Sequence, residues 1–303
     1  MPNWVYNQIE LQNREDAEKV AKYIRSKDQD FDFNNVIKMP DILAETSADS
    51  MAIPAMAYCV MGDRETENLK QWRKQLDLFL DENIPNVAIQ FLDDEEKNIT
   101  GHIINKVEPI ITTGDIKELI YEHKTLMELK NDINISAVRP LDPDKIKAQG
   151  IATWKAVLTT GFRDWYGWST NNWDTKWNAV DSEISITNCT ITWKTAWNPS
   201  ESVIKQLAKD VPVNMYYTWL EEPMCSTWAG SALFHNGECI DRTDTESAAD
   251  YIPIFVYMDG DSGDELHISD DDEILHPGDE GYGQAKPDPQ KSLPNYDKFL
   301  SLN

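Results

Sequence analysis

Two alternating runs, Ser182–Thr187 and Thr190–Ala196, lie two residues apart, and an amphipathic run follows them at once. Strict alternation turns one face of each run inward, and a gap as short as Asn188–Cys189 lets them pair only as an antiparallel hairpin. Next, Asn198-Pro199-Ser200-Glu201 offers Asn198 as an N-cap, proline at the first helical position and Glu201 at the third. Val203, Ile204, Leu207 and Ala208 continue at helical spacing. Strand, strand and helix are therefore expected in that order. Val213–Leu220 returns to strand composition, and Ala229–Phe234 adds a further strand before a turn at Asn236-Gly237.

The N-terminus supplies the missing half. Trp4–Leu11 reads as a strand, and Arg14–Lys27 places Ala17, Val20, Ala21 and Ile24 on one helical face. Phe31–Ile37 begins with alternation, and Pro40 ends the extended stretch expected there. Helical stripes are predicted over Glu67–Glu82 and Asp115–Lys130, and a third helix from Asp142-Pro143 to about Gly161. With this long insertion removed, the order is β-α-β-β-α-β. The expected class is α+β: a ferredoxin-like split βαβ antiparallel sheet interrupted by a long, mainly helical insertion, with an acidic C-terminal extension. The corresponding division is 1–30 plus 182–240 for the sheet domain, 31–181 for the insertion with its Trp-rich loop, and 241–303 for the acidic region and tail.

Composition narrows the function classes. The 53 acidic against 28 basic side chains give a net charge of −25, opposite to the charge that nucleic-acid phosphates attract. Eleven Trp, eleven Tyr and eight Phe exceed what a disordered acidic chain carries. No apolar stretch approaches the roughly 18 residues of a membrane span, and Met1–Asn7 lacks the pattern of a secretory signal, so a soluble, cytoplasmic location is expected. Cys59, Cys189, Cys225 and Cys239 are scattered, which fits reduced thiols.

The stretches Pro2-Asn3-Trp4-Val5-Tyr6-Asn7, Phe31-Asp32-Phe33-Asn34 with Met39-Pro40, Asn172-Trp173-Asp174-Thr175-Lys176-Trp177-Asn178-Ala179 and Thr195-Ala196-Trp197-Asn198-Pro199 resemble the YubB-like proteins of phages and plasmids. The resemblance covers the first forty residues and about 154–235. It implies a ferredoxin-like domain and a mobile-element origin, and it transfers no activity. One departure is Asp174, where that family usually has glycine.

The candidate chemistry is sparse. Trp165, Trp168, Asn172, Trp173, Lys176 and Trp177 form an aromatic-rich segment with no single period, read either as a ligand pocket or as a loop pinned to the sheet by its indoles. His102, His123, His235, His267 and His276 show no metal-ligand spacing, and no nucleophile motif or phosphate-cradling glycine loop is found, so no catalytic residue, metal or cofactor is expected. Residues 241–281 hold 14 carboxylates against one guanidinium, Arg242. Within them, Asp259-Gly260-Asp261-Ser262-Gly263-Asp264 departs from the EF-hand pattern, with glycine at a ligand position and Asp264 where the sharp turn needs glycine.

Asp259, Asp261, Asp264, Glu265, Asp270, Asp271, Asp272 and Glu273 are accordingly read as a negative surface for a basic partner, against the alternative of a solvated tail. The expectation is a non-enzymatic interaction protein that binds and inhibits a host defence or restriction complex acting on DNA, without touching nucleic acid or membrane. The alternative is a small-ligand binding protein or enzyme that uses the Trp-rich segment for a nucleotide. Tyr296, Phe299 and Leu300 are expected to dock the tail on a neighbouring element or on a second copy of the chain.

Overall fold

A computed structural model describes residues 3–48, 52, 55–56, 143–221, 228–245, 267–268, 274–275 and 293–302. The helices expected over 67–82 and 115–130 and all eight acidic partner-surface residues lie outside these. The chain divides into two compact units, Met1–Lys38 with Ser169–Asn303, and Met39–Trp168.

The first unit is built on a six-stranded antiparallel sheet. Its strands are β1 (Trp4–Leu11), β2 (Val180–Ser185), β3 (Thr190–Ala196), β4 (Met215–Glu221), β5 (Ala229–His235) and β6 (Glu238–Thr245), in the order β2-β3-β1-β4-β5-β6. The block β2-β3-β1-β4, with α1 (Arg14–Ile24) after β1 and α4 (Glu201–Asp210) after β3, is the ferredoxin-like arrangement. β1 lies at its centre, with Ile9 opposite Ile191 on one side and Tyr217 on the other. It is buried on both faces, which is why its alternation is blurred in the sequence.

The helices form where the spacing predicts. Asn13 caps α1, its side chain accepting from the Asp16 N–H at 3.0 Å, and Ala17, Val20, Ala21 and Ile24 are buried. An 11-residue helix is marginal alone, so burial of Val20 and Ile24, about 1.5–3 kcal/mol each, is what holds it. On α4, Val203, Ile204, Leu207 and Ala208 are buried.

Several expectations are corrected. α4 begins at Glu201 with Ser200 at the cap position; the Ser200 hydroxyl accepts from the Trp193 indole instead of capping the helix, and Pro199 lies before the helix. Phe31–Ile37 is not a strand: Asp32 caps a single 3-10 turn, Phe33–Asn35, which folds both rings inward. Phe31 meets Phe33 and Trp193 edge-on at 5.0 and 4.8 Å, so this segment belongs to the sheet unit and not to the insertion. β6 was not expected. The Asn236-Gly237 turn, at φ 50° and 84°, returns the chain as an edge strand into the residues read as the start of the acidic tail.

The tail folds back on its own sheet. α5 (Tyr296–Ser301) and Leu293 bury Leu293, Tyr296 and Phe299 against Tyr6, Tyr216, Leu220 and Leu233. Gln12 donates to the Phe299 and Leu302 carbonyls, both at 2.7 Å, and the Tyr216 hydroxyl donates to the Pro294 carbonyl. Tyr296 and Phe299 thus dock the tail on a neighbouring element of the same chain, one of the two expected alternatives, while Leu300 is 56% exposed. Two short strands, β7 (His267–Ile268) and β8 (Ile274–Leu275), pair antiparallel.

In the second unit, α2 (Pro143–Thr160) buries Trp154 and Val157, and the Trp154 indole donates to the Met56 carbonyl at 3.0 Å. Gly161, at φ 78°, stops the helix and donates to the Val157 carbonyl. The start of the Trp-rich segment is a helix and not a loop: α3 (Trp165–Asn172) opens with the Asp164 carboxylate accepting from the Gly167 N–H at 2.8 Å. The boundary between the two units falls within α3.

Candidate functional site

The residues of the Asn172–Ala179 run are sorted by the fold into inward and outward sets. Trp173 is buried, its indole donating to the Ile37 carbonyl at 2.9 Å and its ring edge-on to Phe33. Asp174 turns the chain at φ 64° and reaches α4, accepting from the Ser202 N–H at 2.6 Å and the Ser202 hydroxyl at 3.0 Å. It therefore caps a helix that begins 27 residues later, in place of a local side-chain cap. Thr175 clamps β3, its hydroxyl donating to the Ala196 carbonyl and accepting from the Ala196 N–H. Asn178 accepts from the Phe33 N–H and donates to Asp32.

Lys176 and Trp177 point the other way. The Lys176 ammonium lies 4.6 Å from the centre of the Trp177 ring and 5.1 Å from that of Trp197. Trp4 leans on Trp177 at 6.1 Å. Trp177 and Trp197 are 36% and 39% exposed, among the few large apolar side chains at the surface among the described residues. Of the other expected pocket residues, Trp168 is buried, Trp165 is edge-on to Tyr166, and Asn172 closes α3. The two that stay outward are joined by Trp4 and Trp197, which the sequence reading did not single out. The available signal was the resemblance itself, whose stretches Pro2–Asn7 and Thr195–Pro199 carry Trp4 and Trp197.

Beside α4 opens a polar pocket of about 470 Å³, lined in part by Asp174, Glu201, Ser202, Lys205, Trp228 and Arg242. Arg242 grips Glu201 with two hydrogen bonds, 2.7 and 3.0 Å, pairs with Asp244, and lies 5.4 Å from the Trp219 ring centre. Lys205 adds a third donor to Glu201 at 3.1 Å. Burial works to raise the Glu201 carboxyl, but the hydrogen bonds from Arg242 and Lys205 outweigh it and hold the group below its ordinary value; the same pairing raises Arg242. The ions of this pocket are engaged in tying α4 to β6, and the Asp174 carboxylate lies where a helix N-terminus would otherwise attract an anion.

Within the sheet unit runs a buried polar chain. The Tyr217 hydroxyl donates to Asn7 at 2.6 Å, Asn7 donates to Thr195 at 2.9 Å, and Thr195 donates to the Asn198 carbonyl at 2.7 Å. Burial raises the Tyr217 hydroxyl well above its ordinary value. The chain fixes the exit of β3 and hence the position of Trp197. Elsewhere, His235 is engaged by Asn214 and Asn236 at the far end of β5. Among the described residues, no group of three or more His, Cys, Asp or Glu side chains is placed to hold a metal ion. Nor is any described helix long and apolar enough to cross a membrane.

Fold and site together define a ferredoxin-like α+β protein with an outward Trp–Lys–Trp cluster on the sheet unit. Residues 172–262 match the family model described as the ferredoxin-like domain in Api92-like protein. Among solved structures, the crystal structure of a protein api92 from Yersinia pseudotuberculosis is similar at 10% identity, covering 81% of this chain and 98% of that one, with a TM-score of 0.33. Comparison with curated proteins gives no match.

Proposed function

We propose that this chain is a non-enzymatic interaction protein of a phage or plasmid, which binds a host protein complex acting on DNA and inhibits it in the host cytoplasm. The observation that carries this reading is the charge distribution: 14 carboxylates against one guanidinium over residues 241–281, in a chain of net charge −25. A groove made for phosphates is basic, and a concentrated run of carboxylates competes for it by the same electrostatics. The resemblance to YubB-like proteins supports the mobile-element origin.

The test has two parts. Tagged protein is used to capture complexes from bacterial lysate at low and at high salt, and the retained complex is assayed for DNA binding with and without the protein. A DNA-acting complex held at low salt, released at high salt and displaced from DNA is the expected result. Changing Asp259, Asp261, Asp264, Glu265, Asp270, Asp271, Asp272 and Glu273 to Asn or Gln should then weaken capture and flatten its salt dependence. Unchanged capture rejects the role given to these eight residues.

A further inference from the structure

The outward cluster formed by Trp4, Lys176, Trp177 and Trp197 is arranged at a cost that packing alone does not explain. Trp197 has φ 72°, a left-handed conformation that a bulky residue adopts at a cost of about 1–2 kcal/mol. It is held there by its N–H on the Asn3 carbonyl at 2.9 Å, by the Asn198 N–H on the Ala196 carbonyl at 3.0 Å, and by the Thr175 clamp on the preceding residue. The result of the strain is to bring the ring out to the surface, 39% exposed, across Lys176 from Trp177. A strained backbone that leaves an indole partly at the surface beside a cation is a pointer to function.

The chemistry offered is two indole surfaces with an ammonium between them. Indole faces stack on flat heterocycles, and the ammonium supplies one positive point charge for an anion. We propose that this cluster is a binding site for a nucleoside phosphate, the base stacking on Trp177 or Trp197 and the phosphate meeting Lys176. The net charge of −25 selects against long polyanions, whose many phosphates meet the whole protein's field, and leaves a small ligand as the occupant. This inference is independent of the acidic partner surface and stands or falls apart from it.

The test titrates the full-length protein with adenosine 5′-monophosphate, adenosine, inorganic phosphate and a twelve-residue oligothymidylate, following tryptophan fluorescence and calorimetry. Saturable binding of the monophosphate at one per chain is expected, tighter than adenosine or phosphate alone and tighter per molecule than the oligonucleotide. Trp177→Ala should weaken it roughly tenfold or more, with partial rescue by Trp177→Phe, and Lys176→Gln should remove the preference for monophosphate over adenosine. Trp197→Gly removes the second indole, so binding should weaken while the circular-dichroism spectrum stays that of the folded protein. The proposal is overturned by absence of saturation at millimolar monophosphate, by equal binding of phosphate alone, by tighter binding of the oligonucleotide, or by folded Trp177→Ala and Trp197→Gly variants that both bind normally.

Discussion

Replacing Asp174 by alanine removes the cap of α4 while leaving the backbone in the conformation that costs most for a residue with a Cβ. The carboxylate accepts two hydrogen bonds, from the Ser202 N–H and hydroxyl, and interacts with the positive end of the helix. Losing a helix cap costs about 0.5–2 kcal/mol, and the short, charge-assisted bond of 2.6 Å puts Asp174 in the upper half of that range. Asp174→Ala should therefore lower unfolding stability by about 1–2 kcal/mol. Asp174→Gly loses the same bonds but sheds the left-handed cost at φ 64°, about 1 kcal/mol, so it should be the milder substitution. The expected order is wild type, then Asp174→Gly, then Asp174→Ala. Urea unfolding followed by circular dichroism reads the order, and amide hydrogen exchange at Ser202 reads the cap directly, with faster exchange in both variants. An alanine variant within about 0.3 kcal/mol of wild type, or one more stable than the glycine variant, refutes the capping argument.

Gly230 lies opposite Trp219, and a Cβ there would come within 2.2 Å of the indole and 2.7 Å of the Thr243 carbonyl; Gly230→Ala should cost at least the roughly 1–3 kcal/mol of an overpacked core. Trp219→Phe in the same chain should return part of that loss, and strict additivity in the double-mutant cycle would show that the clash is relieved elsewhere. Because the folded Glu201 value is lowered, its contribution is present above the unfolded carboxylate value of 4.5 and is lost as pH falls below it; Arg242→Gln should move acid unfolding to higher pH, and an unmoved acid limb would contradict the pairing. The raised Tyr217 hydroxyl gives the opposite limb, stability falling as pH climbs above 10, and Tyr217→Phe should flatten that slope while costing about 1–3 kcal/mol at neutral pH through the Asn7 acceptor left unpaired. Changing Tyr296 and Phe299 together to alanine removes two buried rings, each worth about 3–5 kcal/mol, more than a six-residue helix retains, so the tail should be cleaved by protease near 293–302 while the sheet persists; cleavage at the wild-type rate would refute docking through these rings.

Local periodicity is enough to place the β2–β3 hairpin, the apolar stripes of α1 and α4, the Asn236-Gly237 turn and the order that makes the sheet ferredoxin-like. These follow from alternation, helical spacing and turn chemistry, which act over a few residues. The Asn13 cap of α1 and the meaning of the aromatic run come from the folded chain. Nothing local indicates that Asp174 caps a helix 27 residues on, that Asn178 ties down the turn at Phe33, or that Trp197 joins Lys176 and Trp177. Each of these contacts closes a long loop in the chain, and its partner is selected by strand register and backbone conformation. Tryptophan spacing alone therefore indicates that something is fastened there, while the fold decides which indoles fasten it and which remain outward.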